Sequence, residues 1–306
     1  MSKERPLIIV TNDDGIDSDG LWAAAEAVLP LGEVLVVAPD RQWSGGGRSM
    51  PRHVTGRIRP AFAEIDGQRV TTYAVDASPA LAVDHAVIEL APRPPTIVVS
   101  GINYGANLGI EVTISGTVGA ALEASAFGIP AIAVSLEMGP HYHLTGDDAA
   151  DYGVSRAAIR QFAAYLLAHR LPQDVDILNI NVPAVVAPPP AWRLTHLSRR
   201  RYFLPVPPDR ANGEGRPGYK LIGEPAQAEP NSDIRAVMVD NMISVTPLSL
   251  DLTSRIDLST AHYPLRADQA LASDELFAPS PPSCGGDGRS YLSVDWVAGH
   301  SRYICP

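Results

Sequence analysis

The segment Leu7–Val10, followed by Thr-Asn-Asp-Asp-Gly, constrains the fold of this chain more than any other feature. Its consecutive apolar residues are mostly β-branched and predict a strand buried on both faces, as in parallel sheets covered by helices. Asp13 and Asp14 follow at once, and Gly15 permits the positive φ of a sharp turn. Because the two carboxylates would repel each other, a divalent cation, Mg²⁺ or Mn²⁺, is the predicted neutraliser. A polar turn that caps the next helix explains these residues equally well.

Strand-like and helical segments alternate through the first 183 residues. The predicted strands are 7–10, 34–38, 96–100, 129–135 and 176–182, and the predicted helices are 21–29, 117–127 and 147–169, with an apolar, alanine-rich segment at 77–90. Ser18 or Asp19 is expected to cap the first helix. This order predicts an α/β fold with a Rossmann-like, doubly wound, mostly parallel sheet over 1–183.

The composition changes after Pro183, where a proline-rich connector at 185–190 leads into a region with frequent turn residues. Alternating segments at 192–202 and 242–252 predict strands, separated by an exposed polar stretch at 207–217. We therefore expect a smaller, β-rich C-terminal extension over 184–306. The tail beyond residue 262 resembles nothing known to us.

Composition excludes several classes of protein. The 306 residues are 45% hydrophobic, which suffices for a full core, yet no stretch approaches the roughly 18 apolar residues of a membrane span. A cytoplasmic protein without a membrane partner is expected. The net charge of −10 disfavours a nucleic-acid polymer as partner. Neither of the two lysines, Lys3 and Lys220, has the context of a P-loop. Cys284 and Cys305 do not make a disulfide framework and are expected to be free thiols.

Three further segments follow predicted strands, so they should lie at the same carboxyl edge of the sheet as the two aspartates. Residues 36–47 end in three glycines, and the backbone N–H groups of Gly45 and Gly46 could approach an anion or a metal. Residues 100–109 offer the amide oxygens of Asn103 and Asn107. Ser115, Gly116 and Thr117 open an alanine-rich helix, an arrangement suited to phosphate. Taken singly, each segment also fits an ordinary loop, turn or helix cap.

Taken together and in order, these segments resemble the SurE survival-protein family, the metal-dependent 5′/3′-nucleotidases. The resemblance is carried by TNDDG at 11–15, VVAPDRxxSG at 36–45, SGINxGxNxG at 100–109, SGTVxAA at 115–121 and GIPAIAVS at 128–135, and it extends to INVP at 180–183. It implies that Asp13, Asp14, Ser44 and Asn103 bind the metal, with Asn107 and Ser115–Thr117 near the phosphate. The chain departs from the family at Gly47 and at 77–82, which affects substrate contacts more than metal binding.

The expected activity is hydrolysis of nucleoside 5′- and 3′-monophosphates, with one divalent ion per subunit and Asp13 and Asp14 in the catalytic role. Other small phosphate esters or short polyphosphate are alternative substrates, and a non-catalytic nucleotide-binding or scaffold protein is an alternative of another class. The resemblance also implies a homodimer or homotetramer that uses the C-terminal extension. Trp43 and Tyr104 could stack on a base or simply pack their own loops. His141 and His143 could act as an acid or contact phosphate, but exposed loop residues are expected.

Overall fold

A computed structural model of the chain describes residues 5–138, 150–186, 188–201, 203–208, 210, 214–215, 217–221, 225–257, 293–297 and 300–304. The strands are β1 (Leu7–Thr11), β2 (Glu33–Pro39), β3 (Ile58–Ile65), β4 (Gln68–Val75), β5 (Ile97–Tyr104), β6 (Ala131–Leu136), β7 (Ile177–Val182), β8 (Trp192–Leu194), β9 (Phe203–Val206), β10 (Gly218–Leu221), β11 (Ile243–Leu248), β12 (Ser293–Val297) and β13 (His300–Ile304). The α-helices are α1 (Asp19–Val28), α2 (Pro79–His85), α3 (Gly116–Ala126), α4 (Gly153–Ala168) and α5 (Asp233–Met238). A π-helical segment, Ala86–Leu90, continues α2, and 3₁₀ segments occupy Gly109–Ile114 and Pro225–Gln227.

The main sheet has nine strands in the order β3-β4-β2-β1-β5-β6-β7-β11-β8. Its central strands, from β4 to β7, are mutually parallel, while β3 and β11 run antiparallel to their neighbours β4 and β7. The chain leaves β1 toward β2 on one side and later continues on the other side through β5, β6 and β7. This confirms the predicted doubly wound sheet. It also makes the crevice between the carboxyl ends of β1 and β5 a switch point, where α/β folds bind ligands.

Alternating side chains of β1 pack on opposite faces of the sheet. Ile8 and Val10 belong to a buried cluster that includes residues of α1 and α4, whereas Leu7 and Ile9 join a cluster that includes residues of α2 and α3. All four side chains are at most 1% exposed. Burying one such side chain stabilises the fold by roughly 1.5–3 kcal/mol compared with leaving it in water. The two aspartates therefore follow a strand that is buried on both faces of the sheet.

The hairpin of β3 and β4 was not predicted from the sequence. β3 is an edge strand that pairs only with β4 among the described residues, from Ile58–Val75 to Ile65–Gln68. Most of its residues are exposed or half-buried, and Pro60 interrupts its pattern, so the apolar signal of a buried strand is missing. The helix predicted at 147–169 is observed from Gly153, with residues 147–149 outside the described part. β8 is shorter than the strand predicted at 192–202.

The chain divides into two compact units, Met1–Asp251 and Leu252–Pro306. β8 and β11 add to the edge of the main sheet, while β9–β10 and β12–β13 form separate two-stranded sheets, which confirms the predicted β-rich character of the later chain. The boundary predicted at 183, and the role of 184–306 in oligomerisation, stay predictions. Within the described ranges, no helix combines the length and apolarity needed to cross a membrane. His141, His143, Cys284 and Cys305 lie outside the described residues.

Candidate active site

A cavity of about 650 Å³ opens at the carboxyl ends of β1 and β5, where the loops after β1, β2 and β5 meet the start of α3. Among the predicted site residues, it is lined by Asp13, Ser44, Gly45, Asn103, Asn107 and Ser115. The other residues that line it are Tyr104, Gly105, Ala106, Ile110, Glu111, Thr113, Ile114, Arg201, Phe203, Pro205, Pro217 and Gly218. The structure thus brings segments far apart in the sequence to one cavity, while Asp14, Gly46, Gly116 and Thr117 lie outside its lining.

Asp13 is buried against the first turn of α3. Its Oδ1 accepts a 2.5 Å hydrogen bond from the Thr117 hydroxyl, and Gly116 lies so close that a Cβ there would be 2.7 Å from Asp13 Oδ2. Only glycine allows this approach. Burial raises the pKa of Asp13 to about 6, against the opposing effect of the Thr117 hydroxyl and the backbone N–H groups of Gly116 and Thr117. The helix start therefore faces an aspartate, and Thr117 contacts that aspartate directly.

Asp14 is held by the loops after β2 and β5. Its Oδ2 accepts a 3.2 Å hydrogen bond from the backbone N–H of Tyr104, and its Oδ1 accepts one of 3.3 Å from Gln42 Nε2. Burial, and secondly the charge of Asp13, raise the pKa of Asp14 to about 7. Within the described residues, neither aspartate forms an ion pair with a lysine or arginine. In the described part of the chain, the site therefore carries two carboxylates whose charges no ion pair compensates.

Neutral oxygen atoms complete the polar wall beside the aspartates. The exposed Ser44 lies on the loop whose Trp43 N–H donates to the Asp13 carbonyl at 2.7 Å. Asn103 Nδ2 donates to the carbonyl oxygens of Gly105 at 2.7 Å and Tyr104 at 3.2 Å. Because these bonds engage the amide nitrogen, the Asn103 side chain would bind a metal through Oδ1. Across the described residues, no group of three His, Cys, Asp or Glu side chains converges on a metal-sized site. The donor set is thus two carboxylates plus neutral oxygens.

Asn107 is fixed by the ends of β6 and β7. Its backbone N–H donates to Asn181 Oδ1 at 2.7 Å, and its carbonyl accepts from Asn181 Nδ2 at 3.1 Å and from Asn179 Nδ2 at 3.0 Å. Its own Nδ2 donates to the Ser135 hydroxyl at 2.8 Å. Because Asn179, Asn181 and Ser135 are fully buried, they hold the loop without reaching the cavity.

Three residues at or beside the site were not predicted from the sequence: Arg201, Asn179 and Asn181. The two asparagines stand in a strand predicted to be buried, and buried amides need partners, which was the available signal. Arg201 ends a run of three arginines, and such a run by itself does not indicate a site.

The two candidate stacking residues have different surroundings. Trp43 stacks on His53 at 6.1 Å between ring centroids and lies under the Arg41 guanidinium. Tyr104 contacts Tyr152 edge to face and also lines the cavity. Packing of its own loop therefore occupies Trp43, whereas Tyr104 is placed to contact a ligand.

Comparison with known proteins gives a consistent result. Residues 8–203 match the family model described as survival protein SurE. Proteins named 5′-nucleotidase SurE from Thermococcus gammatolerans and Archaeoglobus fulgidus are each 41% identical to this chain, over 82% of it and over 92% and 94% of their own lengths. The crystal structure of the SurE protein from Aquifex aeolicus superposes with a TM-score of 0.63 at 32% identity, covering 81% of this chain and 95% of that one.

Proposed function

The chain belongs to the SurE family of survival proteins, and on this basis we propose that it is a metal-dependent nucleotidase that hydrolyses nucleoside 5′- and 3′-monophosphates. The observation that carries the proposal is the meeting of Asp13, Ser44 and Asn103 with the start of α3 at one cavity. The polar lining residues Asn103, Asn107 and Ser115 suit the phosphate, and the apolar lining residues Ile110, Ile114 and Phe203 suit the nucleoside.

The residues present fit a divalent cation. The carboxylates of the buried Asp13 and the half-buried Asp14, which have no ion-pair partner among the described residues, and two neutral side-chain oxygens are hard donors. Mg²⁺ and Mn²⁺ prefer such donors over softer ligands. Asp13, Asp14, Ser44 and Asn103 would hold one such ion per subunit. When bound, it supplies polarisation of the phosphoryl group and activation of a water molecule.

The chain's own groups bind and orient the phosphate. Asn107 is immobilised by buried partners, and the Gly45 backbone lies at the cavity, where its N–H can bind an anion. The structure does not support the same prediction for Gly46, because the Gly46 N–H donates to the Trp43 carbonyl at 3.0 Å. Ser115 caps α3 by accepting from the Val118 N–H at 3.1 Å, so the positive end of the helix dipole lies at the cavity. Stabilisation of developing charge on phosphoryl oxygens by such fixed dipoles requires no covalent nucleophile.

The test is metal-dependent release of phosphate from a panel of substrates. The panel contains purine and pyrimidine monophosphates phosphorylated at the 5′ or 3′ position, simple phosphate esters and short polyphosphate, each with chelator, Mg²⁺ or Mn²⁺. Preference for mononucleotides supports the proposal. Faster release from simple esters or polyphosphate would favour the alternative substrates, and nucleotide binding without phosphate release would favour a binding or scaffold protein.

A further inference from the structure

Asp233, whose carboxylate is buried outside the cavity, forms hydrogen bonds to two of the segments that line the cavity. Asp233 is fully buried at the start of α5 and accepts three backbone hydrogen bonds. Its Oδ2 accepts from the Gly109 N–H at 2.7 Å, while its Oδ1 accepts from Ser198 at 2.9 Å and from Ile234 at 2.8 Å. Such bonds to a charged acceptor are stronger than bonds between neutral groups.

The two segments that Asp233 joins have different places at the cavity. Gly109 follows the loop that carries Asn107. Ser198 precedes Arg201, Phe203 and Pro205, which also line the cavity and are here called the nucleoside wall. Gly109 has φ +57°, and a Cβ there would lie 3.1 Å from the carbonyl oxygens of Ser198 and Arg200. The segments are therefore in close contact at the point where Asp233 binds both.

We propose that Asp233 is a positioning residue for substrate, which holds the nucleoside wall at a fixed distance from the loop that carries Asn107. The proposal rests on the proposed nucleotidase function and concerns its nucleoside end. The phosphate end is fixed separately, because Asn181 and Ser135 hold Asn107 from the other side. Loss of the Asp233 carboxylate should thus weaken the binding of the nucleoside and leave the binding of phosphate unchanged.

The substitution Asp233→Asn tests this with a change of one atom. An asparagine keeps one acceptor oxygen, but its amide nitrogen is a donor and must face either the Gly109 N–H or the Ser198 N–H. In either orientation one of the two segments loses its hydrogen bond and meets a donor instead. The other segment stays attached, and the volume of the side chain is unchanged.

The experiment measures KM and kcat for a nucleoside monophosphate, and the inhibition constant of inorganic phosphate, in the full-length protein with its metal. For Asp233→Asn we expect KM to rise about tenfold, as ~1.4 kcal/mol of lost binding would give, with kcat and the phosphate inhibition constant little changed. The matched control is Ser232→Ala. It removes the N-cap bond from the Arg235 N–H at 3.3 Å and the bond that the Ser232 hydroxyl donates to the Glu229 carbonyl at 2.7 Å, but leaves the bonds of Asp233 in place. It should lower thermal stability without changing KM.

Equal effects of Asp233→Asn and Ser232→Ala on KM would overturn the proposal, as would a phosphate inhibition constant that rises together with KM. If Asp233→Asn does not fold, Phe203→Ala decides the question, because it alters the nucleoside wall itself. It should raise KM and leave phosphate inhibition unchanged, and an unaltered KM would refute the role of the wall. A wild-type protein that releases no phosphate from any mononucleotide would instead refute the proposed function.

Discussion

At the scale of single residues, Asp13 and Asp14 are neighbours in sequence but are held by different parts of the chain, α3 for the first and the loops after β2 and β5 for the second. We expect Asp13→Ala and Asp14→Ala each to reduce metal-dependent turnover by more than about a hundredfold, because even groups outside the metal's ligand shell contribute roughly 10–100-fold. The fold should persist, since removing one carboxylate relieves repulsion on the other. Steady-state kinetics and circular dichroism provide the measurements.

The exposed Asp17, in the same turn, is the matched control, and Asp17→Ala should retain full activity. Ser44→Ala and Asn103→Ala should weaken metal binding less than either aspartate variant, because a neutral oxygen attracts a cation less than a carboxylate does. Calorimetric titration with Mn²⁺ gives this order directly. Wild-type turnover in either aspartate variant would contradict the metal site.

Asp76 provides a residue-scale prediction about pH. Its carboxylate accepts from the Thr55 N–H at 2.9 Å and the Thr55 hydroxyl at 2.5 Å, and it forms an ion pair with Arg41. Hydrogen bonding by Thr55, with a smaller effect of Arg41, lowers the pKa of Asp76 from 3.8 to about 2. A lowered pKa in the folded state stabilises the fold above pH 3.8, and this contribution is lost as the pH falls toward 2.

We therefore expect Asp76→Asn to lower the unfolding midpoint in urea at neutral pH and to lose this effect as the solution is acidified through that window. Thr55→Val should behave in the same way, because it removes the hydroxyl donor. A difference between wild type and Asp76→Asn that stays constant across the window would show that the charge of Asp76 is irrelevant.

At the scale of elements, the loop that carries Ser44 is attached to α3 by an ion pair. Arg48 Nε lies 2.6 Å from Glu123 Oε2, Glu123 is buried, and Arg48 is 38% exposed. The same loop is held by the Gly47 N–H, which donates to the Ile114 carbonyl at 2.9 Å. Replacing Arg48 would leave a buried carboxylate without its cation and would loosen the segment that presents Ser44.

For Arg48→Gln we expect a loss of about 1–3 kcal/mol in the free energy of unfolding, below the range for fully buried pairs because Arg48 is partly exposed. Metal affinity should fall as well, though less than in Asp13→Ala. Arg156→Gln is the matched control, since Arg156 pairs with Glu26 at 2.7 Å between α4 and α1. Denaturant unfolding and metal titration would contradict the prediction if both variants affected metal binding alike.

The elements also show how far the sequence could predict this structure. β1 with its aspartates, the loop at 36–47 and the start of α3 were predictable, because each combines an apolar segment with glycine and polar residues at its end. The edge strand β3 was not, since its side chains are mostly exposed and lack a clear pattern. Asp233 and Asn181 act through hydrogen bonds to residues distant in sequence, and no local pattern reveals such partners.

At the scale of the whole molecule, we expect a homodimer or homotetramer. The family resemblance implies C-terminal extensions exchanged between subunits, and β8 adds an independent reason. It lies at the edge of the main sheet, with Trp192 43% and Leu194 62% exposed, and an apolar edge strand is prone to pair with another chain. Light scattering at micromolar concentration should give a multiple of the 32.6 kDa chain mass, and a monomeric mass would contradict this expectation.

The charge of the whole chain and the composition of the nucleoside side together determine which substrates we expect. A net charge of −10 opposes the approach of a long polyanion, so free mononucleotides should be hydrolysed much faster than terminal phosphates of oligonucleotides. In the nucleoside wall, Phe203 and Pro205 offer apolar contact, and the hydrogen-bonding side chain of Arg201 is exposed to solvent. Strong discrimination among bases would require buried donors and acceptors that a wrong base leaves unpaired.

We therefore expect kcat/KM to vary only modestly across purine and pyrimidine monophosphates, with Tyr104 offering a stacking surface worth on the order of 1–3 kcal/mol to any base. The measurement is kcat/KM for each monophosphate at the 5′ and 3′ positions, beside a phosphorylated oligonucleotide of matched terminal base. A preference of roughly a thousandfold for one base, about 4 kcal/mol in the transition state, would reveal a dedicated base pocket. Comparable rates on the oligonucleotide would show that local attraction at the site outweighs the repulsion of the whole chain.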